Sequence, residues 1–516
     1  MAAEKNWVES LKSFTDIRSI TMLLLGFSAG LPILMIFSSL SLWLREAGVE
    51  RSAVTYFSWA ALGYSFKFIW APLVDKLPLP FLTNVLGRRR SWLLLSQIMI
   101  VIAISWMALV DPSIGQSALT SMAFATILLG FSSATQDIVI DAYRIESAPI
   151  DYQAILSAAY IAGYRVGMIA SGAGALFLAA YLGTTKEVYI YSAWKNTYLS
   201  MAALMIIGIL TGLLRPEPTQ GKKIESTHST KDHITFFFLF LLVVSIFISI
   251  FYFTDSIATT LTEKLQKIVN NSALSSFVVG TFRLFFSIAI TALFSFGLGK
   301  TKIINTEMIE ESYVGPVKNF FDRYGLHFSV LLLSLIGLYR ISDIVLGVIS
   351  NVFYQDIGFT KEQIASVVKT LGLIMSLVGG FLGGMLTTRF GIYPMLWWGA
   401  ILASGTNILF MIQAKAGANL PLLYVVISAD NLAAGLASAA FVAFLSSLTD
   451  VSFTAVQYAI FSSLMTLIPK IIGGYSGGMV DVLDYSGFFL ATTIMGLPVL
   501  YLIYLCQKTF KLKENK

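Results

Sequence analysis

The sequence predicts an all-α integral membrane protein of two six-helix halves with two further spans inserted between them. Three observations predict it: a shortage of charge, a series of long apolar runs, and a weak internal repeat. Of 516 residues, 56% are hydrophobic and 12% charged, with a mean hydropathy of +0.76; a soluble domain carries roughly 25% charged residues. Half the usual charge cannot coat a soluble surface of this size, whereas a helix crossing a bilayer needs about 20 apolar residues. Three His and one Cys, Cys506, supply no soft ligand set for a metal or haem and no disulfide within one chain. No cofactor is expected. The net charge of +6 would suit nucleic acid only as a basic face on a polar domain. Here the charges sit in short gaps between apolar runs, so no nucleic-acid partner is expected.

Taken in order, the apolar runs lie at 19–43, 54–74, 91–110, 117–138, 154–182, 196–214, 235–256, 275–299, 328–352, 363–386, 395–412, 420–447, 456–480 and 486–506, giving fourteen spans. The first is too long for a signal peptide, follows mixed charges and lacks a small-residue cleavage site, so it reads as a retained helix. Alternate gaps, beginning with the N-terminal tail, hold 21 of the 35 Lys and Arg; the opposite gaps hold 8 and the spans 6. The positive-inside rule then places the richer side, including Arg88, Arg89, Arg90, the Lys222/Lys223 loop and the Lys508 to Lys516 tail, in the cytoplasm with both termini.

The repeat relates spans one to six with spans nine to fourteen. Residues 46–51 (EAGVER) resemble 356–361 (DIGFTK) at an offset of 310, and 73–76 (LVDK) resemble 386–389 (LTTR) at 313. Beyond the fourth span the offset is 305: Gly130 matches Gly435, Arg165 matches Lys470, and Ser171-Gly172 matches Ser476-Gly477. The extra stretch from Leu77 to Leu86 accounts for the change. The resulting organisation is an N-tail 1–18, an N-terminal half 19–214, a linker 215–327 carrying spans 235–256 and 275–299, a C-terminal half 328–506, and a C-tail 507–516. Two parallel six-helix repeats around a central cavity are the layout of the major facilitator superfamily. Asp75 and Lys76, followed after an insertion by Gly87, Arg88, Arg89 and Arg90, resemble that superfamily's cytoplasmic signature. With Arg144 and Arg389 they are candidates for a cytoplasmic gate; simple anchoring on the positive side is the alternative.

Glycines four apart (Gly379/Gly383 and Gly380/Gly384, Gly473/Gly477 and Gly474/Gly478, Gly163/Gly167) let helix backbones approach closely. Ionisable residues inside spans are costly and call for a partner, a water-filled cavity or a role. At 1.5 Å per residue, Arg165 and Arg340 lie near midplane, about 18 Å into their spans. Asp343, Lys369, Asp430, Asn431 and Lys470 lie at intermediate depth, and Gln136, Asp137 and Asp141 approach the cytoplasmic end of span four. These are the candidate substrate or proton-coupling residues. Arg340 and Asp343, three apart, could also simply pair, and Lys67 is expected to snorkel. A carboxylate that alternates between a cation and a proton has the property coupling requires; Asp343 and Asp430 are the first candidates. Cations facing one cavity favour an anionic solute.

Residues 26–32 (GFSAGLP), 66–75 (FKFIWAPLVD), 133–144 (SATQDIVIDAYR), 163–168 (GYRVGM) and 369–373 (KTLGL) resemble the AmpG muropeptide permease family, and 431–432 (NL) and 453–457 (FTAVQ) continue the resemblance. It covers about four fifths of the chain. Eukaryotic acetyl-CoA transporters, related to that family, share a similar block around Gln136. The resemblance implies a proton-driven importer of anhydro-muropeptides in the bacterial inner membrane, energised by the proton gradient, with Gln136, Asp137, Asp141, Arg165, Asp343, Lys369 and Asn431 at family-type polar positions. The chain departs from the family pattern in placing its extra spans between the halves, and in having Asp430 and Lys470 where Glu and Arg are expected. The expected partners are a small solute, the proton and the lipid bilayer, and the expected state is a monomer. Competing readings are a carrier of another anionic metabolite such as an acyl-CoA or nucleotide, a membrane enzyme and a non-transporting receptor. The enzyme reading lacks a metal motif, a G-x-S-x-G nucleophile and a His-containing acid/base set, and no enzyme activity is expected.

Overall fold

The computed structural model describes residues 15–49, 57, 62–185, 188–218, 229–269, 272–299, 306–360, 363–473 and 475–514. Residues 1–14 of the N-tail, the Lys222/Lys223 loop, most of the first part of span two and Lys516 lie outside them. Among the described residues the protein is helical without strands, and thirteen helices are long and apolar enough to cross a bilayer. In the first half they are Ile17–Glu46, Arg88–Ala108, Gln116–Ser147, Tyr152–Tyr181 and Tyr191–Leu214, corresponding to spans one and three to six. Spans seven and eight are Lys231–Phe253 and Val278–Ser295. The second half contains Leu326–Ser350, Ser366–Phe390, Ile392–Ala416, Leu420–Leu448, Val451–Gly473 and Ser476–Phe510, spans nine to fourteen.

Several spans are interrupted where the sequence places a charge. Span two passes from helix Leu62–Phe66 into a 3₁₀ turn Lys67–Ile69 before resuming at Ala71–Lys76. Span nine breaks between Leu326–Leu338 and Ile341–Asp356, so Arg340 stands at the break. Span ten opens with a π-helical stretch, Ile364–Leu371, carrying Lys369. Non-helical backbone at membrane depth is tolerated where protein or water satisfies its polar groups, and π-stretches occur frequently at functional sites. The predicted span thirteen is also split: its helix ends at Gly473, and the chain kinks again at Asp484 (φ 57°). Gly473 and Gly477, expected on one helix face, therefore belong to different helices, and the expected Gly474/Gly478 pair has Gly474 outside the described residues.

Glycines bind each half internally. A Cβ on Gly30 would lie 1.9 Å from the Tyr164 carbonyl oxygen, and one on Gly163 1.9 Å from that of Leu23, so spans one and five touch backbone to backbone. Spans ten and twelve do the same: a Cβ on Gly379 would meet Leu432 O at 2.1 Å, and one on Gly435 would meet Ser376 O at 2.3 Å. The repeat-related Gly130 and Gly435 also face equivalent neighbours. Gly63 of span two lies against Gly130, and Ser376 of span ten, its counterpart at the offset of 313, against Gly435. At one point of the seam between the halves the contact is less tight. Gly380, whose added Cβ would stand 3.7 Å from Ile161 of span five, has room for a methyl group there.

The linker straps the two halves together at the end bearing Arg88 to Arg90, hereafter the basic end. Tyr313 donates to the carbonyl of Ile69 (2.9 Å) and Lys76 pairs with Glu311 (3.2 Å) on the first half. Toward the second half, Gln457 donates to Pro316 O (2.8 Å) and Asn319 (3.0 Å), while Arg323 faces Asp450 at 3.7 Å. Partial burial of Asp450 acts to raise its pKa, but the Ser452 backbone and hydroxyl, Asn319 and Arg323 outweigh it, holding the carboxyl below its usual range. Its stabilising contribution is present above the unfolded carboxylate pKa and is lost only as pH falls through the lower folded value. Spans seven and eight lie largely exposed outside the bundle; their Asp255 and Arg283 pair with each other at 2.8 Å, Arg283 lying over the Phe251 ring.

Gly30→Ala should destabilise the protein by about 1–3 kcal/mol through overpacking. Gly405→Ala in span eleven, where no atom lies within 4 Å of an added Cβ, should be neutral. Thermal unfolding of the detergent-solubilised variants checks the contrast; equal stability for both would refute the backbone-contact reading.

Candidate functional site: a charged latch and a central polar cavity

Arg89 opens span three, and its side chain is only 1% exposed. Its Nη2 donates to Asp75 Oδ1 at 2.7 Å, Glu146 Oε1 at 2.5 Å and Thr454 Oγ1 at 3.0 Å. Thr454 also donates to Glu146, and the Val456 backbone N–H donates to Asp75 Oδ2 at 3.0 Å. Thr454 and Val456 form the first turn of helix Thr454–Gly473, whose free N–H groups need acceptors and whose dipole favours anions. Thus Asp75 and Glu146 of the first half hold the helix N-terminus of the second, with Arg89 balancing the two carboxylates. Removing one partner of a buried ionic set of this kind costs about 3–5 kcal/mol.

The other gate candidates are distributed differently. Arg88 supports the latch through the Asp75 carbonyl (3.0 Å) and Glu146 (3.6 Å). Arg90 caps the end of span six through Gly212 O (2.9 Å) and Leu213 O (2.5 Å), and Lys76 turns to the linker. Arg389 lies over the Phe390 ring. Arg144 crosses to the second half, reaching Ser446 at 2.7 Å and lying over Tyr458, while contacting Asp141 at 3.4 Å. Sequence reasoning missed Glu146, the carboxylate closest to Arg89. The available signal was an acid two residues beyond Arg144, at the basic end where an arginine run needs acceptors.

Deeper in the first half, Lys67 is buried and pairs with Asp141 at 3.4 Å. This corrects the snorkelling expectation: the 3₁₀ turn aims the ammonium inward, where a carboxylate holds it. Asp137 accepts a long hydrogen bond from Tyr160 (3.4 Å). Gln136 is fully buried, and neither of its amide atoms has a hydrogen-bond partner among the described residues.

Between the halves lies a second cluster. Arg340 pairs with Asp343, the i, i+3 arrangement the spacing allowed. Asp430 accepts from Thr406 at 3.2 Å and lies close enough to Arg340 and Asp343 to feel both charges. Arg165 of span five is likewise within electrostatic reach of Arg340 and Asp343. All four are partly exposed although their spans lie within the bundle, as expected of cavity-lining groups. Lys369 is exposed on its π-stretch. Asn431 turns back to Ile427 O at 3.0 Å, and Lys470 reaches across the halves to Ser65 at 3.2 Å. Sequence reasoning also missed Thr406 and Ser65, whose roles follow only from the contacts.

Two helical bundles joined by a linker, latched at one end and lined by charge at the centre, define a transporter of the major facilitator class. A family model described as Major Facilitator Superfamily matches residues 19–308. A Rickettsia conorii protein named AmpG 4 is 31% identical over 498 residues, 96% of this chain and 98% of that one. The anhydromuropeptide permease of Escherichia coli K12 is 28% identical over 503 residues, covering 97% and 82% of the two chains. A crystal structure of a double-Trp mutant of XylE shares the fold, with a TM-score of 0.60, 14% identity and 96% of each chain covered. The chain belongs to the major facilitator superfamily and, within it, to the AmpG family of transporters.

The latch predicts a cysteine-accessibility result. In a Cys506→Ser background, Val456→Cys should react with a soluble maleimide about tenfold faster when Arg89→Gln is added, a shift of about 1.4 kcal/mol. Arg90→Gln, confined to the first half, should leave labelling unchanged. Equal rates with and without Arg89 would remove the latch role.

Proposed function

We propose that this protein imports anhydro-muropeptides from cell-wall turnover across the bacterial inner membrane by proton symport, alternating access between the two faces. Both termini then lie in the cytoplasm, the basic end is the cytoplasmic gate, and the single chain acts as a monomer. Its work is solute transfer, without a catalytic step or a cofactor. The similarity to the Escherichia coli anhydromuropeptide permease along nearly the whole chain supports the solute, and the Lys and Arg distribution supports the orientation.

The observation that carries the coupling mechanism is the unequal environment of two neighbouring carboxylates. Asp343 holds Arg340, whereas Asp430 has a hydroxyl donor, Thr406, and no cation within salt-bridge distance among the described residues. A carboxylate so placed is costly to keep charged. Protonating Asp430 leaves Arg340 wholly to Asp343; releasing that proton makes the two carboxylates compete for one guanidinium. Because Arg340 stands at the break in span nine, the competition acts on a backbone that can move, and proton occupancy biases the position of the second half.

Proteoliposomes with an inward proton gradient should accumulate labelled N-acetylglucosaminyl-anhydro-N-acetylmuramyl tripeptide, and a protonophore should abolish the accumulation. Asp430→Asn should lower gradient-driven accumulation about tenfold or more, roughly 1.4 kcal/mol, while retaining solute exchange. Unchanged accumulation would remove Asp430 from coupling. No uptake in either condition would refute the solute, and competition among acyl-CoA and nucleotide probes would identify an alternative anion.

A further inference from the structure

Arg165 is unusual among the deep cations. Lys67 and Arg144 contact Asp141, Arg340 has Asp343, and Lys470 donates to Ser65. Arg165 has no carboxylate within salt-bridge distance among the described residues. Its one polar side-chain contact there is Met168 Sδ at 4.0 Å, on its own helix. An arginine does not escape the cost by neutralising, because its proton stays bound throughout the accessible pH range. A bare guanidinium at the bilayer centre costs about 2.5–3.5 kcal/mol even on the mildest insertion scales. Arg165 is nonetheless partly exposed, and a charge at this depth calls for a partner or for water.

The surroundings state what the cavity lacks. Across the seam between the halves, Arg340 lies within electrostatic reach of Arg165 and repels it. Asp343, also within reach, is already engaged by Arg340. The seam therefore carries two guanidinium groups, one on each half, with Asp343 engaged by Arg340 and Asp430 held by the Thr406 hydroxyl. An added anion would be attracted by both and would replace repulsion across the seam with a bridge.

We propose that Arg165 binds a carboxylate of the transported solute, and that this contact draws the two halves together around it. The planar fork of the guanidinium suits a carboxylate in two parallel hydrogen bonds, which Lys cannot reproduce. Asp430 and Arg340 lie beyond the seam, so the solute bound at Arg165 faces the group assigned to proton coupling. The inference rests on the transport reading above, and on the muropeptide reading only for its first probe.

The test uses full-length protein in lipid nanodiscs and two probes, N-acetylglucosaminyl-anhydro-N-acetylmuramic acid with its free lactyl carboxylate and the corresponding carboxamide. Calorimetry should show the carboxylate binding the wild type about tenfold tighter or more, roughly 1.4 kcal/mol. Arg165→Gln should bind both probes equally, at the wild-type affinity for the carboxamide; that retained binding also reports that the variant is folded. Arg165→Lys should fall between. A carboxylate preference that survives in Arg165→Gln, or a wild type without preference, overturns the assignment. If the wild type binds neither probe, the muropeptide reading fails separately. The carboxylate assignment is then decided by thermal stabilisation with malonyl-CoA, whose acyl group ends in a carboxylate, against acetyl-CoA, whose acyl group does not. A larger shift with malonyl-CoA in the wild type that Arg165→Gln removes upholds the assignment, and equal shifts, no shift, or a preference retained in the variant overturns it.

Discussion

A guanidinium buried away from water must be held by carboxylates, and Arg89 is held by two. Asp75 and Glu146 would repel each other without it, and the first turn of helix Thr454–Gly473 would lack acceptors without them. The arrangement gives three sets of groups partners at once, each otherwise costly to bury, with Arg89 Nη1 the one guanidinium nitrogen lacking a hydrogen-bond partner among the described residues. It also joins the halves by interactions that water can substitute.

Packing within the halves is of the opposite kind. Spans one and five, and spans ten and twelve, meet at glycines whose backbones leave no space for a methyl group. Such contacts do not slide without losing close packing along the helix. Gly380 and Ile161, at the seam, stand at ordinary van der Waals distance. The contrast gives a physical basis for two rigid bodies rocking on a softer junction, with the linker strap bonded to both at the basic end.

The remaining flexibility coincides with charge. Lys67 rides on a 3₁₀ turn, Arg340 at a helix break and Lys369 on a π-stretch. A regular helix satisfies its own backbone and offers little reason to change; an interrupted one leaves N–H and C=O groups that water, side chains or solute can satisfy in more than one way. Arg340, paired with Asp343, stands at such a point.

By itself the sequence determined the features that follow from local composition: the apolar runs that become membrane spans, the duplicated order of Gly130 and Gly435, and the presence of costly charges at Arg165, Arg340, Asp343 and Asp430. Hydrophobic length and residue spacing are enough for these. Only the tertiary structure decided which charges are satisfied. Lys67, read as a snorkelling residue, turns inward to Asp141; Arg90 stays within one half while Arg89 reaches both; Glu146 and Thr454 complete the latch from positions 308 residues apart. Ion pairing depends on distances between helices, which no spacing along one helix specifies. For the same reason the lack of a carboxylate beside Arg165 among the described residues became legible only when the two halves were brought together.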